Sequence, residues 1–90
     1  MDKIKAELTA ITEKYKKDFE TEINGDKVFE TILDVTRLID KYELSLQRAF
    51  SDIFLNQANY IGSANKPDLE KFTRSLILDF RKFVSAFLLP

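Results

Sequence analysis

VFETILDVTRLIDKYELSLQRAFSDI, residues 28–53, is the stretch whose reading decides the fold. Its apolar residues Val28, Ile32, Val35, Ile39, Tyr42, Leu46, Ala49 and Ile53 recur at alternating steps of four and three, and no Gly or Pro interrupts them. That spacing keeps every member on one face of an α-helix, and the steady alternation is the heptad rhythm of helix packed on helix. Continued to its natural ends, the pattern predicts a helix from Lys27 to about Asn59, some 50 Å at ~1.5 Å per residue. The weakest point is Glu43-Leu44-Ser45, where Ser45 offers an N-cap for a new helix. The heptad phase nevertheless passes through Tyr42 and Leu46 undisturbed, which favours continuity.

Upstream, Ile4, Leu8, Ile11, Tyr15, Phe19 and Ile23 form a narrower stripe of the same period and predict a helix from about Lys3 to Glu22. Glu13 lies four residues before Lys17, the favourable order for an ion pair along a helix. Asn24-Gly25 then ends the helix, with Gly25 expected in the left-handed C′ conformation and Asp26 as the next N-cap. Asn-Gly also marks β-hairpins, but both flanks here carry a helical rather than a two-residue period.

Downstream, Ile61-Gly62-Ser63-Ala64-Asn65-Lys66-Pro67 reads as the one real loop, with Gly62 as a C′ residue and Pro67 in the first turn of a helix to about Leu88. Asp68 and Glu70 place negative charge at the positive end of that helix dipole. The expected fold is all-α: an antiparallel three-helix bundle with a long central helix, or a four-helix bundle if the central helix breaks near Ser45. A chain of 90 residues fits one domain spanning 1–90.

Composition agrees. Apolar residues make up 44%, with eight Phe and three Tyr to fill a small core, and only two Gly and two Pro leave little room for a many-turned β-fold. Net charge is −1, from 14 basic and 15 acidic side chains, which argues against a nucleic-acid partner because such binding draws its affinity from Lys and Arg on phosphates. The first residues lack the apolar segment of a secretory signal, and no apolar run approaches the ~18 residues of a membrane span. The expected compartment is cytoplasmic.

The absent residue types narrow the chemistry. Without His or Cys there is no Ser-His-Asp or Cys-His nucleophile, no histidine or thiolate metal ligand and no histidine phosphotransfer. The two glycines stand too far apart for a phosphate-binding loop. The reading is therefore non-enzymatic, with no cofactor and no metal. Among the carboxylates, Asp34 and Asp52 fall on an outer charged face, whereas Glu43 projects near the apolar seam and is expected to be partly buried against a Lys, Arg or Tyr. Asn56, Gln57 and Asn59 form an amide-rich helix end suited to capping.

Apolar residues exceed what one seam needs. Leu33, Leu44 and Leu55 recur every eleven residues, nearly three whole turns, and form a sparse second stripe. Leu33 and Leu44 are expected in the core, because helices one and three must both contact helix two. In the last helix Leu69, Phe72, Leu76, Ile77, Phe80, Phe83, Val84, Phe87 and Leu88 share one broad face, while Leu78 and Leu89 fall opposite. If the outer helices are about two-thirds the length of the central one, both ends of the latter lie uncovered, and a second copy would cover them. The functional expectation is a small protein-interaction module (adaptor, assembly factor or inhibitor), self-associating as a homodimer, with Leu55, Tyr60, Leu78 and Leu89 as partner-binding anchors. Two alternatives remain: a peripheral membrane protein lying on its amphipathic C-terminal helix, and a small immunity or anti-host type protein, by analogy of size and fold alone.

Overall fold

The computed structural model describes residues 2–25 and 32–87, and of residues 32 and 33 the backbone alone. They form three helices, α1 (Asp2–Gly25), α2 (Ile32–Asn56) and α3 (Ala58–Ser85), and each packs on the other two. The bundle measures 46 × 19 × 18 Å. Its direction follows from side chains that meet. Lys5 lies over the Phe72 ring and Lys16 reaches Asp79 and Phe83, so α1 and α3 run parallel. Tyr15 meets Tyr42 while Ile4 and Gln57 line one recess, so α1 and α2 are antiparallel. The chain therefore runs up, down and up, as the two short reversals require.

The core is built from Ile4, Leu8 and Phe19 of α1, Leu38, Leu46 and Phe50 of α2, and Ile61, Leu69, Phe80 and Val84 of α3. Large side chains of this kind each contribute about 1.5–3 kcal/mol when fully buried. Ile39, Tyr42 and Ile53 of the heptad seam pack against this cluster, but two of the most buried α2 residues, Leu38 and Phe50, flank the seam. At about 100° per residue, Leu38 falls on the side of Tyr42, which faces α1, and Phe50 on the side of Glu43, which faces α3. A helix with two neighbours buries the shoulders of its stripe.

Phe19 joins all three helices. Its ring meets Tyr42 at 5.7 Å, Phe80 at 6.4 Å and Phe87 at 5.3 Å, each in the edge-on arrangement aromatic quadrupoles favour. Two buried threonines are satisfied within their own helices. The Thr12 hydroxyl donates to the Leu8 carbonyl at 2.9 Å and the Thr73 hydroxyl to the Glu70 carbonyl at 2.8 Å. Each thereby avoids the cost of an unpaired buried hydroxyl.

Several expectations are corrected. The central helix is continuous through Ser45, so the four-helix alternative is not realised. It ends at Asn56 rather than Asn59, and its described length of 25 residues is close to the 24 of α1 and the 28 of α3. The length mismatch that left the ends of α2 uncovered is therefore absent among the described residues, and the homodimer loses that geometric ground. Gly25 remains within α1, and Gly62 is the one glycine with positive φ among the described residues. Lys16, not Lys17, takes Glu13, because Lys16 faces α3 and also binds Asp79. Val28, Asp26, Leu88, Leu89 and the side chain of Leu33 lie outside the described residues.

Candidate functional site: the α2–α3 elbow

The segment read as a loop is helical, and the chain reversal begins earlier. The Gln57 N–H donates to the Ile53 carbonyl at 2.9 Å and closes α2, while the Gln57 carbonyl accepts from Tyr60 and Ile61 and opens α3. One residue thus serves as the junction. Ending α2 there lets Ile61 turn into the core, where it is nearly fully buried.

The reversal is completed at Gly62, which adopts φ 69° and ψ 164°, a backbone conformation available essentially to glycine alone. The break disrupts the helical ladder beside Ile61, and the Asn65 side-chain amide donates to the Ile61 carbonyl at 2.9 Å. Pro67 follows inside α3, lacking the N–H that a continuous helix would use. Gly62, Asn65 and Pro67 together make the bend a built feature.

Inside the bend lies a cleft of about 320 Å³ lined by Phe54, Leu55, Ala58, Ile61, Gly62, Ser63 and Lys66. Phe54, Leu55 and Ile61 are its large apolar residues. Ser63 and Lys66 are the residues with polar side chains in its lining, which holds no carboxylate. Such a volume falls at the small end of ligand sites, which span roughly 300–1,000 Å³. Among the described residues no cluster of three or more acidic side chains could hold a metal ion.

Of the expected anchors, Leu55 is 76% exposed and forms one lip of this cleft. Tyr60, 60% exposed, stands apart in a shallow recess with Lys3, Ile4, Glu7 and Gln57. Leu78 is 55% exposed on the outer face of α3. Leu89 lies outside the described residues. Leu44, expected in the core, is 49% exposed, because α1 and α3 occupy the two shoulders of α2 and leave its back free. Phe54, Ser63 and Lys66 were not singled out in the sequence. Ser63 and Lys66 stood in the segment read as a loop, and no local signal ties Phe54 to them.

The charged groups elsewhere act as clamps. Glu43 is only 15% exposed and receives Arg81 from α3, whose Nε donates to Oε1 at 2.8 Å and whose second guanidinium nitrogen meets the same oxygen. This is the partly buried pairing expected for Glu43. Leu44 lies beside the pair in a recess with Asp40 and Gln47. Lys16 bridges Asp79 and Glu13 and lies 5.7 Å from the Phe83 ring centre. Its pKa is raised chiefly by the hydrogen bond to Asp79, against the opposing effect of burial. Tyr42 is pushed above the ordinary phenol value by burial first, then by the charge of Glu22 and a hydrogen bond to it, and by Asp18.

The broad apolar face of the last helix is spent on the core. Phe80 is buried, and Phe72, Phe83 and Phe87 pack against the same cluster. No described helix is long and apolar enough to cross a membrane. Comparison with protein-family models, curated proteins and solved structures finds no match for this chain.

Proposed function

We propose that this protein is a small non-enzymatic interaction module, an adaptor, assembly factor or inhibitor that binds partners through its helix faces. One observation carries the reading: Leu44, Leu55, Tyr60 and Leu78 stay exposed although the core closes without them. Scattered exposed leucines are ordinary on protein surfaces. Here, however, Leu44 and Leu55 share the back of α2, about 16 Å apart at ~1.5 Å per residue, and no described helix covers either side chain. Anchors of this kind act by filling a partner's pocket while their polar surroundings form the rim. Self-association as a homodimer is the simplest form of the proposal, in a cytoplasmic setting.

The test uses Leu55→Glu with Leu78→Glu, both on exposed positions. Sedimentation equilibrium at micromolar to sub-millimolar concentration reads self-association, and capture from the native host with wild-type and variant baits reads a heterologous partner. A dimer lost in the variant supports the proposal, as does a partner that the wild type retains and the variant releases. Monomer mass throughout, with identical captures by both baits, refutes it.

A further inference from the structure

The elbow cleft has properties that a protein–protein face does not require. It is concave, it is bounded by a backbone conformation reserved for glycine, and its lining carries one charge. That charge, Lys66, makes no ion pair among the described residues. The cations over aromatic rings have carboxylates near them: Lys41, over Tyr42, shares its recess with Asp18, and Lys5 shares one with Asp68. Lys16 is held by two carboxylates, and Lys5 lies over Phe72. Lys66 combines an ammonium without an ion pair among the described residues with a cleft that Phe54, Leu55 and Ile61 line.

We propose that this cleft binds a medium-chain monocarboxylate. The carboxylate sits at the rim, on the Lys66 ammonium and the Ser63 hydroxyl, and the alkyl chain lies against Phe54, Leu55 and Ile61. Charge selects the head group: a cation at a carboxylate-free rim attracts an anion and repels a quaternary ammonium. Volume selects the chain. At about 320 Å³ the cleft lies at the small end of ligand sites and suits a medium rather than a long alkyl chain. Each methylene fully withdrawn from water strengthens binding by about fourfold, so in this half-open cleft the affinity rises about two- to fourfold per carbon until the space is filled. The bend is already formed in the free protein, so its ordering is not charged against binding.

Leu55 belongs to both this cleft and the proposed interaction face, so Lys66→Gln, which leaves Leu55 intact, separates the two readings. The experiment follows the backbone amides of isotopically labelled protein, titrated with octanoate, decanoate, decanol and decyltrimethylammonium below their micellar concentrations. Saturable decanoate binding is expected, with shifts centred on residues 54–66, tighter than octanoate by about four- to sixteenfold and tighter than decyltrimethylammonium by at least tenfold. Lys66→Gln is expected to weaken decanoate by about five- to tenfold and to leave decanol unchanged. Equal binding of the anionic and cationic amphiphiles overturns the proposal, as do shifts spread over the whole core or an unaltered decanoate affinity in Lys66→Gln. Shifts at residues 54–66 that instead grow with protein concentration alone identify a second copy as the occupant, and also overturn it.

Discussion

Replacing Gly62 by Ala tests the bend on which the candidate site depends. An added Cβ at Gly62 meets nothing within 4 Å, so neighbouring atoms impose no cost. The whole effect comes from the backbone, held at φ 69° and ψ 164°. Placing an L-residue in that region costs about 1–3 kcal/mol, and the stiffer unfolded chain returns about 0.4–1 kcal/mol. The expected net loss is about 1–2 kcal/mol. Gly25→Ala is the matched control. It too has open space around an added Cβ, but Gly25 is the last residue of α1 and has no positive φ. There the substitution gains helix propensity, up to about 1 kcal/mol and less at an exposed terminus. Two identical chemical changes therefore move stability in opposite directions. In urea unfolding followed by far-ultraviolet circular dichroism, with a slope near 1–2 kcal/mol per molar, Gly62→Ala lowers the midpoint by roughly 1 M and Gly25→Ala leaves or raises it. A midpoint for Gly62→Ala equal to or above wild type refutes the bend and implies a helix running straight through residues 61–67.

Further outcomes follow from the core and the clamps. Phe19→Ala removes a ring shared by three helices and is expected to cost about 3–5 kcal/mol, a large part of the total stability of a 90-residue domain, whereas Phe19→Leu costs less than half as much in the same urea assay. Alkaline stability is expected to fall from about pH 10 upward. A lysine raised in the fold, as Lys16 is above 10.5, contributes stability that is whole below the unfolded pKa and lost as pH rises through the folded one. Tyr42, raised above 10.0, acts in the same direction because the unfolded chain releases its proton first. Thermal unfolding between pH 8 and 11 should therefore show a shallower decline in Lys16→Met and Tyr42→Phe than in wild type. Removing Arg81 alone leaves the partly buried Glu43 carboxylate without its partner, so Arg81→Ala is expected to be less stable than the double variant Glu43→Leu/Arg81→Ala; the reverse order would show that the pair is not clamped.

The helix faces were legible because a period of 3.6 residues is a local property. Ile4, Leu8 and Phe19 in α1, Leu46 in α2, and Leu69, Phe80 and Val84 in α3 fall in the core as their spacing requires. Glu43 against a cation was legible for the same reason, since its wheel position lies between seam and surface. Turn placement was not. Gln57, a residue of no special turn chemistry, carries the first part of the α2–α3 reversal, while the Gly62–Pro67 segment that looks like a loop is helical around one bent glycine.

Read alone, the sequence established an all-α chain of amphipathic helices, three or four in number, because hydrophobic periodicity and the scarcity of Gly and Pro act within a few residues of one another. It also removed the chemistry of His and Cys, which no fold can restore. Tertiary structure decided which shoulder of each stripe is covered, and so left Leu44 exposed while burying Leu38 and Phe50. It also converted an apparent loop into an elbow with a cleft lined by Phe54, Leu55, Ile61 and Lys66. Both outcomes depend on where a neighbouring helix comes to lie, and that position is set by contacts between residues tens of positions apart, beyond the reach of any local pattern.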